Sequence, residues 1–438
     1  MSIIFDAVYV TALAFGSPYF LSKLIISERY RSGLTQRLGW VGARKREKPC
    51  IWIHCASVGE ILTIKALVNS IEKEFNRFDI VISTNTNTGL SVAERHFQGK
   101  RIFYFPLDLS WVVDRVLNAI YPSYVILIEL EIWPNFLMSA AKKQIPVILL
   151  NARISEKSLK WYRILSKISK GFFESLSNKE NFFCARTRND ATRLMNLGIA
   201  ETQISITGNM KFDNIVTAIS EDTRNRLLSL FNIKQDDKVV VCGSTHEGEE
   251  VILLRIFKQI NTKLNKLRLV LAPRHIERVN DITKLIESIG LRCIRKTSLD
   301  KGNKIDEYKY ETVILVDTIG ELLNIYSIAD CVFVGKSLVP QGGQNIMEPA
   351  GLAKPVIVGP HTFNFNEEIQ LLKEANAIKV VQDEPALLNE LVYLLEHPYE
   401  AQELGNKAQS VVIKQLGATD RNLKVLKKIL LKERTVSV

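Results

Sequence analysis

Cysteine is scarce in this sequence, with six residues in 438. No two of them form a C-x-x-C pair, which argues against a disulfide framework and against a structural zinc site. Most of them stand in apolar, strand-like runs, and their positions are Cys50, Cys55, Cys184, Cys242, Cys293 and Cys331. We therefore expect reduced core residues in a cytosolic chain.

Signatures of metal-dependent and nucleophilic catalysis are also missing. The sequence has no D-x-D motif, no pair of histidines at i and i+4, and no G-x-S-x-G turn. We therefore expect neither a catalytic metal nor a cofactor. The basic residues lack the interleaved aromatic residues of a nucleic-acid binder, so no nucleic-acid partner is expected.

Apolar residues and positive charge are abundant. Hydrophobic residues make up 46% and charged residues 24% of the 438 positions, which is typical of a globular protein with two or three domains. The formal charge is +11, and eight basic but three acidic residues stand among the first fifty. This balance favours an anionic partner, such as a phosphorylated substrate or anionic lipid.

The stretch 3–26 is strongly apolar and is followed at once by basic residues. The charges follow the apolar run rather than precede it, which argues against a cleaved signal peptide. Its length suits a membrane-spanning helix, whereas Pro18 and the flanking charges also suit a helix in the interface. A buried helix of the soluble domain is the alternative. We expect membrane contact, with the basic flank on the cytoplasmic side.

From Cys50 onward, apolar strands alternate with amphipathic helices, which predicts parallel sheets covered by helices on both faces. The first series of predicted strands is 50–55, 79–84, 101–105, 123–129, 146–150 and 181–186. The second series is 238–243, 267–272, 291–295, 312–316, 330–335, 355–358 and 378–381. The pattern predicts two α/β domains with a boundary between Thr207 and Asp237, and a ligand in the crevice between them.

The turn after the first strand carries a candidate for a general base. The run 50–55 is apolar enough for a strand buried on both faces, and Ser57 and Gly59 then break the pattern before a helix. Glu60 therefore lies at the carboxyl edge of the sheet, where ligands of open α/β sheets bind. It suits a general base, although a first-turn glutamate also serves simply to complement the helix dipole.

Other charged residues follow later strands of the first series. Glu129 and Glu131 stand in an otherwise apolar stretch, and burial near Glu60 would raise a carboxyl pKa. Arg153 and Lys211 stand in further turns and suit an anionic substrate, although most such cations are surface charges.

Turns of the second series carry groups that suit phosphate. Ser244 and Thr245 precede a predicted helix, where they suit either a phosphate or a plain helix cap. Arg274 suits bidentate phosphate contacts. The neighbouring His275 suits either a ligand contact or a helix start.

The turn 340–351 is the most informative of the second series. Gly342 and Gly343 let the backbone approach a ligand closely. Asn345 opens a predicted helix, and Glu348 lies one turn further on. This arrangement suits a nucleoside phosphate, with backbone amides on the phosphate and Glu348 on the ribose hydroxyls.

A series of motifs runs along nearly the whole chain. They are H-C-A-S-V-G-E (54–60), E-L-E-I-W-P-N (129–135), N-A-R-I-S-E-K-S (151–158), G-N-M-K-F-D (208–213), G-S-T-H-E-G-E-E (243–250), A-P-R-H-I-E-R (272–278), D-T-I-G-E-L (317–322) and G-G-Q-N-I-M-E-P-A (342–350). In this order they resemble the motifs of the 3-deoxy-D-manno-octulosonic acid (Kdo) transferases of Gram-negative lipopolysaccharide assembly. The likeness extends to the apolar start and to R-Y-R-S-G-L-T-Q-R-L-G (29–39). Gln344, where many members have His, and Ile276, where Pro is frequent, are departures.

The resemblance implies an α/β protein with the GT-B glycosyltransferase fold, in which two Rossmann-like domains face a central cleft and an N-terminal helix associates with the membrane. The implied division is a membrane anchor with a basic segment (1–48), an acceptor-binding domain (49–210), a linker (211–237), a CMP-Kdo-binding domain (238–400) and a C-terminal helix packing back across the domains (401–438).

The resemblance also implies a reaction, the inverting, metal-independent transfer of Kdo from CMP-Kdo to a lipid A precursor. The reaction would take place at the cytoplasmic face of the inner membrane, beside anionic lipid. Glu60 would be the general base, with Glu129 and Glu131 as further catalytic residues. The implied acceptor-binding residues are Ser57, Gly59 and Arg153. The implied donor-binding residues are Lys211, Ser244, Thr245, His246, Glu249, Arg274, His275, Gly342, Gly343, Asn345 and Glu348.

Three alternatives remain open from the sequence. The first is another GT-B enzyme, either a UDP-sugar transferase or a UDP-sugar 2-epimerase. The second is a membrane-bound nucleotide-binding module without turnover, which would bind CMP unchanged when Glu60 is altered. The third is an RNA-binding protein, for which binding to generic RNA would depend steeply on salt.

Overall fold

A computed structural model describes residues 5–11, 33–264, 266–305 and 311–431. The chain divides into two compact units, the first comprising Met1–Asn214 and Leu416–Val438 and the second Ile215–Gln415. Residues 5–11 are helical. Most of the predicted membrane-associated stretch, 3–26, lies outside the described residues. Among the helices that are described, none is both long enough and apolar enough to cross a bilayer.

The described residues of the first unit form a seven-stranded sheet in which the strand order is β3-β2-β1-β4-β5-β6-β7 and every pairing is parallel. The strands are β1 (Cys50–Cys55), β2 (Asp79–Thr84), β3 (Arg101–Tyr104), β4 (Tyr124–Ile128), β5 (Val147–Ala152), β6 (Phe182–Ala185) and β7 (Ile204–Ile206). The strand order reverses between β1 and β4, which makes their carboxyl ends the switch point of the sheet.

The central strand β1 is buried on both faces, as the sequence predicts. Cys50 and Trp52 belong to the apolar cluster on one face, and Ile51, Ile53 and Cys55 to the cluster on the other. Burying one large apolar side chain contributes about 2 kcal/mol. A strand in which every position except His54 is apolar is therefore stable only where helices cover both faces.

Helices connect the strands of the first unit. The α-helices are Leu34–Arg37, Val58–Thr63, Lys65–Glu74, Asn87–His96, Ser110–Ile120, Pro134–Lys142, Glu156–Ile168, Lys170–Leu176, Arg188–Met195 and Ala418–Leu430, and the 3-10 helices are Glu201–Gln203 and Met210–Asn214.

The second unit repeats the arrangement. Its described residues form a seven-stranded parallel sheet in the order β10-β11-β9-β8-β12-β13-β14. The strands are β8 (Lys238–Thr245), β9 (Leu267–Pro273), β10 (Arg292–Arg295), β11 (Thr312–Leu315), β12 (Cys331–Val334), β13 (Val356–Val358) and β14 (Lys379–Val380). Here the strand order reverses between β8 and β12, so this pair forms the switch point.

Helices of the second unit lie between these strands and after the last one. The α-helices are Glu221–Leu230, Glu249–Asn261, Val279–Ser288, Lys296–Asp300, Leu322–Tyr326, Met347–Gly351, Asn366–Glu374, Glu384–Glu396 and Pro398–Gln415, and the 3-10 helices are Ile276–Arg278 and Phe363–Phe365.

Two segments differ from the sequence-based expectation. The strand Ile204–Ile206 was not predicted, because three residues are too short for a visible pattern. The predicted linker, 211–237, contains the end of the 3-10 helix Met210–Asn214 and the whole of helix Glu221–Leu230.

The carboxyl-terminal region, 401–438, is divided between the units. Helix Pro398–Gln415 ends the second unit, and helix Ala418–Leu430 belongs to the first. Asp213 explains how the latter begins, because its carboxylate accepts hydrogen bonds from the amides of Gly417 (2.6 Å), Ala418 (3.2 Å) and Thr419 (2.5 Å). A carboxylate on these amides also complements the positive end of the helix dipole.

Candidate active site

Glu60 lies at the carboxyl end of β1, in the first turn of helix Val58–Thr63. Its carboxylate accepts hydrogen bonds from the Ser57 hydroxyl (2.8 Å) and from the Ala56 amide (2.8 Å). The Ser57 oxygen in turn accepts from the Glu60 amide (3.4 Å) and caps the helix. This reciprocal pair is a variant of the capping box, in which the carboxylate accepts from the Ser57 hydroxyl and the Ala56 amide instead of the Ser57 amide, and it fixes the direction of the carboxylate.

The environment of Glu60 prepares it to take up a proton near neutral pH. Its pKa is raised to about 7, chiefly by burial and to a smaller extent by the negative charges of Glu129 and Glu131. The hydrogen bonds from Ser57 and Ala56 act in the opposite direction but do not cancel the effect of burial. A carboxylate with a pKa near the working pH is suited to general base catalysis.

Glu131 follows β4, the neighbour of β1 at the switch point, and its contacts keep it ionised. Its carboxylate accepts a hydrogen bond from the indole of Trp133 (2.7 Å) and lies 3.3 Å from Nε2 of His54. Burial alone would raise the pKa of Glu131, but these hydrogen bonds outweigh burial and lower it. The switch point therefore holds one carboxylate with a raised pKa and one with a lowered pKa, an arrangement that separates a base from a fixed charge.

Glu129 directly follows β4 and has the left-handed conformation, with φ of 63°. It forms an ion pair with Lys211. Lys211, which the sequence resemblance assigns to donor binding, thus belongs to the first unit and neutralises a carboxylate beside Glu60.

The predicted acceptor-binding residues lie on the exposed side of this site. Ser57 and Gly59 are both exposed, although the Ser57 hydroxyl is already bonded to Glu60. A Cβ atom added to Gly59 would meet only the Ser57 oxygen, at 3.9 Å, so the helix start is open to an incoming group. Arg153 is exposed in the turn after β5.

The turn after β8 differs from its sequence-based interpretation. Its helix begins at Glu249, with Gly248 at the N-cap in the left-handed conformation, so neither Ser244 nor Thr245 is its cap. Ser244 is itself left-handed, with φ of 54°. The hydroxyl of Thr245 is buried and donates a hydrogen bond to Glu250 (3.1 Å).

The carboxylate of Glu249, assigned to donor binding by resemblance, is fully buried and occupied by backbone amides of the protein itself. Direct contact with a donor stays a prediction for this residue, and its observed contacts indicate a structural task.

Two histidines and an arginine lie in the neighbouring turns after β8 and β9. The rings of His246 and His275 meet edge to face, with centroids 5.4 Å apart. Partial burial lowers the pKa of His246. Arg274 and His275 are both exposed, and His275 occupies the N-cap position of the 3-10 helix Ile276–Arg278 without a side-chain cap.

Both glycines of the turn after β12 adopt the left-handed backbone conformation that favours glycine. Gly342 and Gly343 have φ values of 97° and 80°. The helix begins at Met347, two residues later than predicted, and Asn345 accepts a hydrogen bond from its amide (3.1 Å). Asn345 also donates to Glu348 (3.0 Å).

Glu348 is electrostatically connected to the neighbouring turn. Burial raises its pKa, while the hydrogen bond from Asn345 and the charge of Arg274 lower it. The structure thus brings the charge of Arg274 close to the carboxylate predicted to hold the ribose.

Sequence reasoning missed His54, Trp133 and Lys336. The first two support Glu131, and both stand inside motifs that the sequence displays. Lys336 follows β12 with φ of 61°, a conformation that no sequence pattern predicts for lysine. Within the described ranges, no group of three or more His, Cys, Asp and Glu side chains is arranged to hold a metal ion.

Two doubly wound parallel sheets, each with polar turns at its switch point, are the architecture of the GT-B fold. The structure is similar to a glycosyltransferase from Rickettsia africae, with a TM-score of 0.54 and 14% identity, covering 88% of this chain and 100% of that chain. It is also similar to UDP-GlcNAc 2-epimerase from Neisseria meningitidis, with a TM-score of 0.57 and 15% identity, again covering 88% and 100%. At these identities the likeness shows the fold.

The sequence comparisons identify the family. Residues 32–214 match the family model described as 3-deoxy-D-manno-octulosonic-acid transferase (kdotransferase). The chain is 34% identical over 415 residues to the 3-deoxy-D-manno-octulosonic acid transferase of Haemophilus influenzae, covering 94% of each chain. It is 28% identical over 411 residues to that of Chlamydia muridarum, covering 93% of this chain and 92% of the relative. The chain therefore belongs to the Kdo transferase family of glycosyltransferases, which confirms the resemblance seen in its motifs.

Proposed function

We propose that this protein transfers Kdo from CMP-Kdo to a hydroxyl of a lipid A precursor, with Glu60 as the general base. Membership of the Kdo transferase family supports the transferred sugar. The observation that supports the base is the raised pKa of Glu60, about 7, at a carboxylate held by Ser57 and Ala56.

In this reaction Glu60 takes the proton of the acceptor hydroxyl as its oxygen attacks the anomeric carbon of Kdo. The new bond to the acceptor oxygen forms while the bond from the anomeric carbon to the CMP phosphate breaks, and CMP leaves with the electron pair. Attack from the face opposite the leaving group inverts the anomeric configuration. Burial, assisted by the negative charges of Glu129 and Glu131, keeps the pKa of Glu60 high, so Glu60 binds the proton that it receives.

Residues of the first unit would receive the acceptor. Ser57 and Gly59 border the carboxylate on its exposed side. Arg153 supplies a positive charge for an anionic lipid headgroup. Glu129 and Lys211 neutralise one another, so their contribution is to shape the field around Glu60.

Residues of the second unit would hold the donor. Arg274 is an exposed cation suited to the departing phosphate, and Glu348 suits the ribose hydroxyls. Gly342 and Gly343 let backbone amides approach the nucleotide. Cations and amides that meet the charge on the leaving group supply electrostatic stabilisation without a metal.

The side chains after β8 and β9 complete the donor site in this proposal. Ser244, His246 and His275 would lie around the phosphate, whereas the buried Thr245 would support the site through its hydrogen bond to Glu250. Asn345 orients Glu348 through its hydrogen bond. In domain terms, residues 49–210 bind the acceptor and residues 238–400 bind the donor.

We also propose that the protein works at the cytoplasmic face of the inner membrane, where the lipid acceptor is available. The net charge of +11 supports contact with anionic lipid. The apolar stretch 3–26 would serve as the membrane-associated helix.

The test is a transfer assay with CMP-Kdo generated in situ, a tetraacyl lipid A precursor and mass spectrometry of the lipid. We expect mass increments of Kdo with the wild type, unchanged by a chelator, and none with Glu60→Gln, which should still bind CMP. Transfer from UDP-sugars instead, or CMP binding with no transfer by the wild type, would contradict the proposed reaction.

A further inference from the structure

The carboxylate of Glu249 is saturated by backbone hydrogen bonds from two different loops. Its Oε2 accepts from the amides of His246 (2.9 Å) and Lys336 (2.6 Å). Its Oε1 accepts from the amides of Ser337 (2.9 Å) and Leu338 (3.0 Å). The side chain is 0% exposed. Hydrogen bonds to an ionised group contribute about 1.5–3 kcal/mol each, so this carboxylate determines the conformation of both loops.

The three consecutive amides 336–338 form a backbone nest, a concavity that binds anions. Lys336 enters it with φ of 61°, and Ser244, in the last residues of β8 before the other loop, has φ of 54°. A left-handed conformation costs a residue with a side chain about 1–2 kcal/mol. Glu249 offsets this cost, because its carboxylate is the anion that fills the nest.

The two loops follow β8 and β12, the neighbouring strands at the switch point of the second sheet. They are pressed together at Gly335. A Cβ atom at Gly335 would lie 2.6 Å from the carbonyl oxygen of Ser244 and 2.6 Å from Cα of Thr245. Only glycine fits there, so neither loop has room to shift independently of the other.

Lys336 stands two residues after the end of β12, at the carboxyl edge of the sheet, and its side chain is half-buried there. The pKa of His246 is lowered chiefly by burial, and the positive charge of Lys336 is one of the smaller factors that lower it. Across the part of the chain that the structure describes, no carboxylate forms an ion pair with Lys336. A half-buried cation at a switch point, without a protein counter-ion, suits an anionic ligand.

We propose that Glu249 is a positioning residue that holds Lys336 in the left-handed conformation, so that the ammonium group of Lys336 binds the phosphate of the nucleotide donor. This inference rests on the proposed function, because it assigns a further contact within the same donor site. In this proposal Glu249 affects donor binding by positioning Lys336 and does not itself contact the donor.

The first experiment compares CMP with cytidine, which lacks the phosphate, by isothermal titration calorimetry on the full-length protein. Lys336→Met removes the positive charge and keeps a long, unbranched side chain. Lys373→Met is the matched control, because Lys373 is an exposed lysine of helix Asn366–Glu374. We expect Lys336→Met to raise the Kd for CMP about tenfold and to leave the Kd for cytidine unchanged. An unchanged Kd for CMP, or equal losses for both ligands, would overturn the proposal.

The second experiment tests the role of Glu249. Glu249→Gln keeps the size of the side chain but turns an NH2 group toward amide donors. We expect the same selective loss of CMP affinity, and no further loss when Lys336→Met is added, because both changes remove one contact. Additive losses would refute the positioning role. If circular dichroism shows that Glu249→Gln is unfolded, Glu249→Asp, which withdraws the charge by one methylene, replaces it with the same expectation.

A spectroscopic measurement tests whether the charge of Lys336 acts on His246. In a nitrogen-15 NMR titration of the histidines, Lys336→Met should raise the pKa of His246, since it removes a nearby positive charge. An unchanged titration would place the ammonium group elsewhere. The outcomes remain distinct from those of the proposed function, since a wild type that fails to bind CMP refutes the proposed donor, whereas normal CMP binding by Lys336→Met refutes only this inference.

Discussion

Ser57→Ala is the sharpest perturbation of the proposed base, because it removes one hydrogen bond from Glu60 and leaves the carboxylate in place. The Ser57 hydroxyl donates to Glu60 over 2.8 Å and lowers its pKa. Without it the pKa of Glu60 should rise above its present value of about 7. A hydrogen bond to a charged group is worth about 1.5–3 kcal/mol, and partial replacement by water leaves a shift of about one pKa unit.

The expected effect depends on pH in a specific direction. The base form of Glu60 is the ionised form, so activity rises as the pH passes through its pKa. A shift of about one unit, from about 7 to about 8, lowers the ionised fraction at pH 7 about fivefold but hardly changes it at pH 9. The acidic limb of the kcat/KM profile should therefore move to higher pH while the alkaline plateau stays the same.

The assay is Kdo transfer to the lipid acceptor across about pH 5.5 to 9.5, in buffers of constant ionic strength. Ser220→Ala is the matched control, because Ser220 caps helix Glu221–Leu230 of the second unit and has no contact with Glu60. Both variants lose a helix cap, worth about 1 kcal/mol of stability. A limb that stays in place in Ser57→Ala, or moves to lower pH, would refute the assignment of Glu60. A loss of equal size at every pH would instead show that Ser57 contacts the acceptor.

Three further predictions follow from the geometry. Glu60→Gln should gain stability relative to the wild type as the pH rises from about 5 to about 8, by about 2 kcal/mol, because ionising a carboxylate with a raised pKa destabilises the folded state. Urea unfolding followed by tryptophan fluorescence measures this in the first unit, which contains every tryptophan, and a constant difference would contradict it. In the same assay, Asp213→Asn should cost about 1–2 kcal/mol by weakening the cap of helix Ala418–Leu430, whereas Asp383→Asn, a cap in the second unit, should leave the transition unchanged. Glu348→Gln should raise the Kd for CMP about tenfold but not that for the 2′,3′-dideoxy analogue, and calorimetry that shows equal losses would exclude contact with the ribose.

The local pattern of apolar and polar residues was sufficient to predict much of the fold. The nearly continuous apolar run 50–55 favours a strand covered on both faces, because its isoleucine, tryptophan and cysteine side chains are removed from water there. The turn that follows was also readable, since Ser57 and Glu60 stand three residues apart, as a capping box requires. Both features depend on neighbours in the chain, which a sequence displays directly.

Features that depend on distant segments were not predictable in this way. The strand Ile204–Ile206 exists because β6 offers it a pairing edge. The left-handed backbone of Lys336 is stabilised by a carboxylate 87 residues away in the chain. Likewise, Asp213 caps a helix that begins 205 residues further on. Each of these contacts forms when distant segments of one unit pack together, so it leaves no periodic pattern in the local sequence.

Glu60 and Glu249 show which properties of a site residue cannot be predicted from the sequence. In the sequence they are equivalent, each a glutamate in a turn between a strand and a helix, and the chain order alone determines that both stand at the carboxyl edge of a sheet. Only the tertiary structure separates their tasks. Glu60 accepts hydrogen bonds within its own turn and is buried beside two other carboxylates, which leaves it poised to take up a proton. Glu249 meets four converging amides from two loops, so its charge is used to hold the backbone.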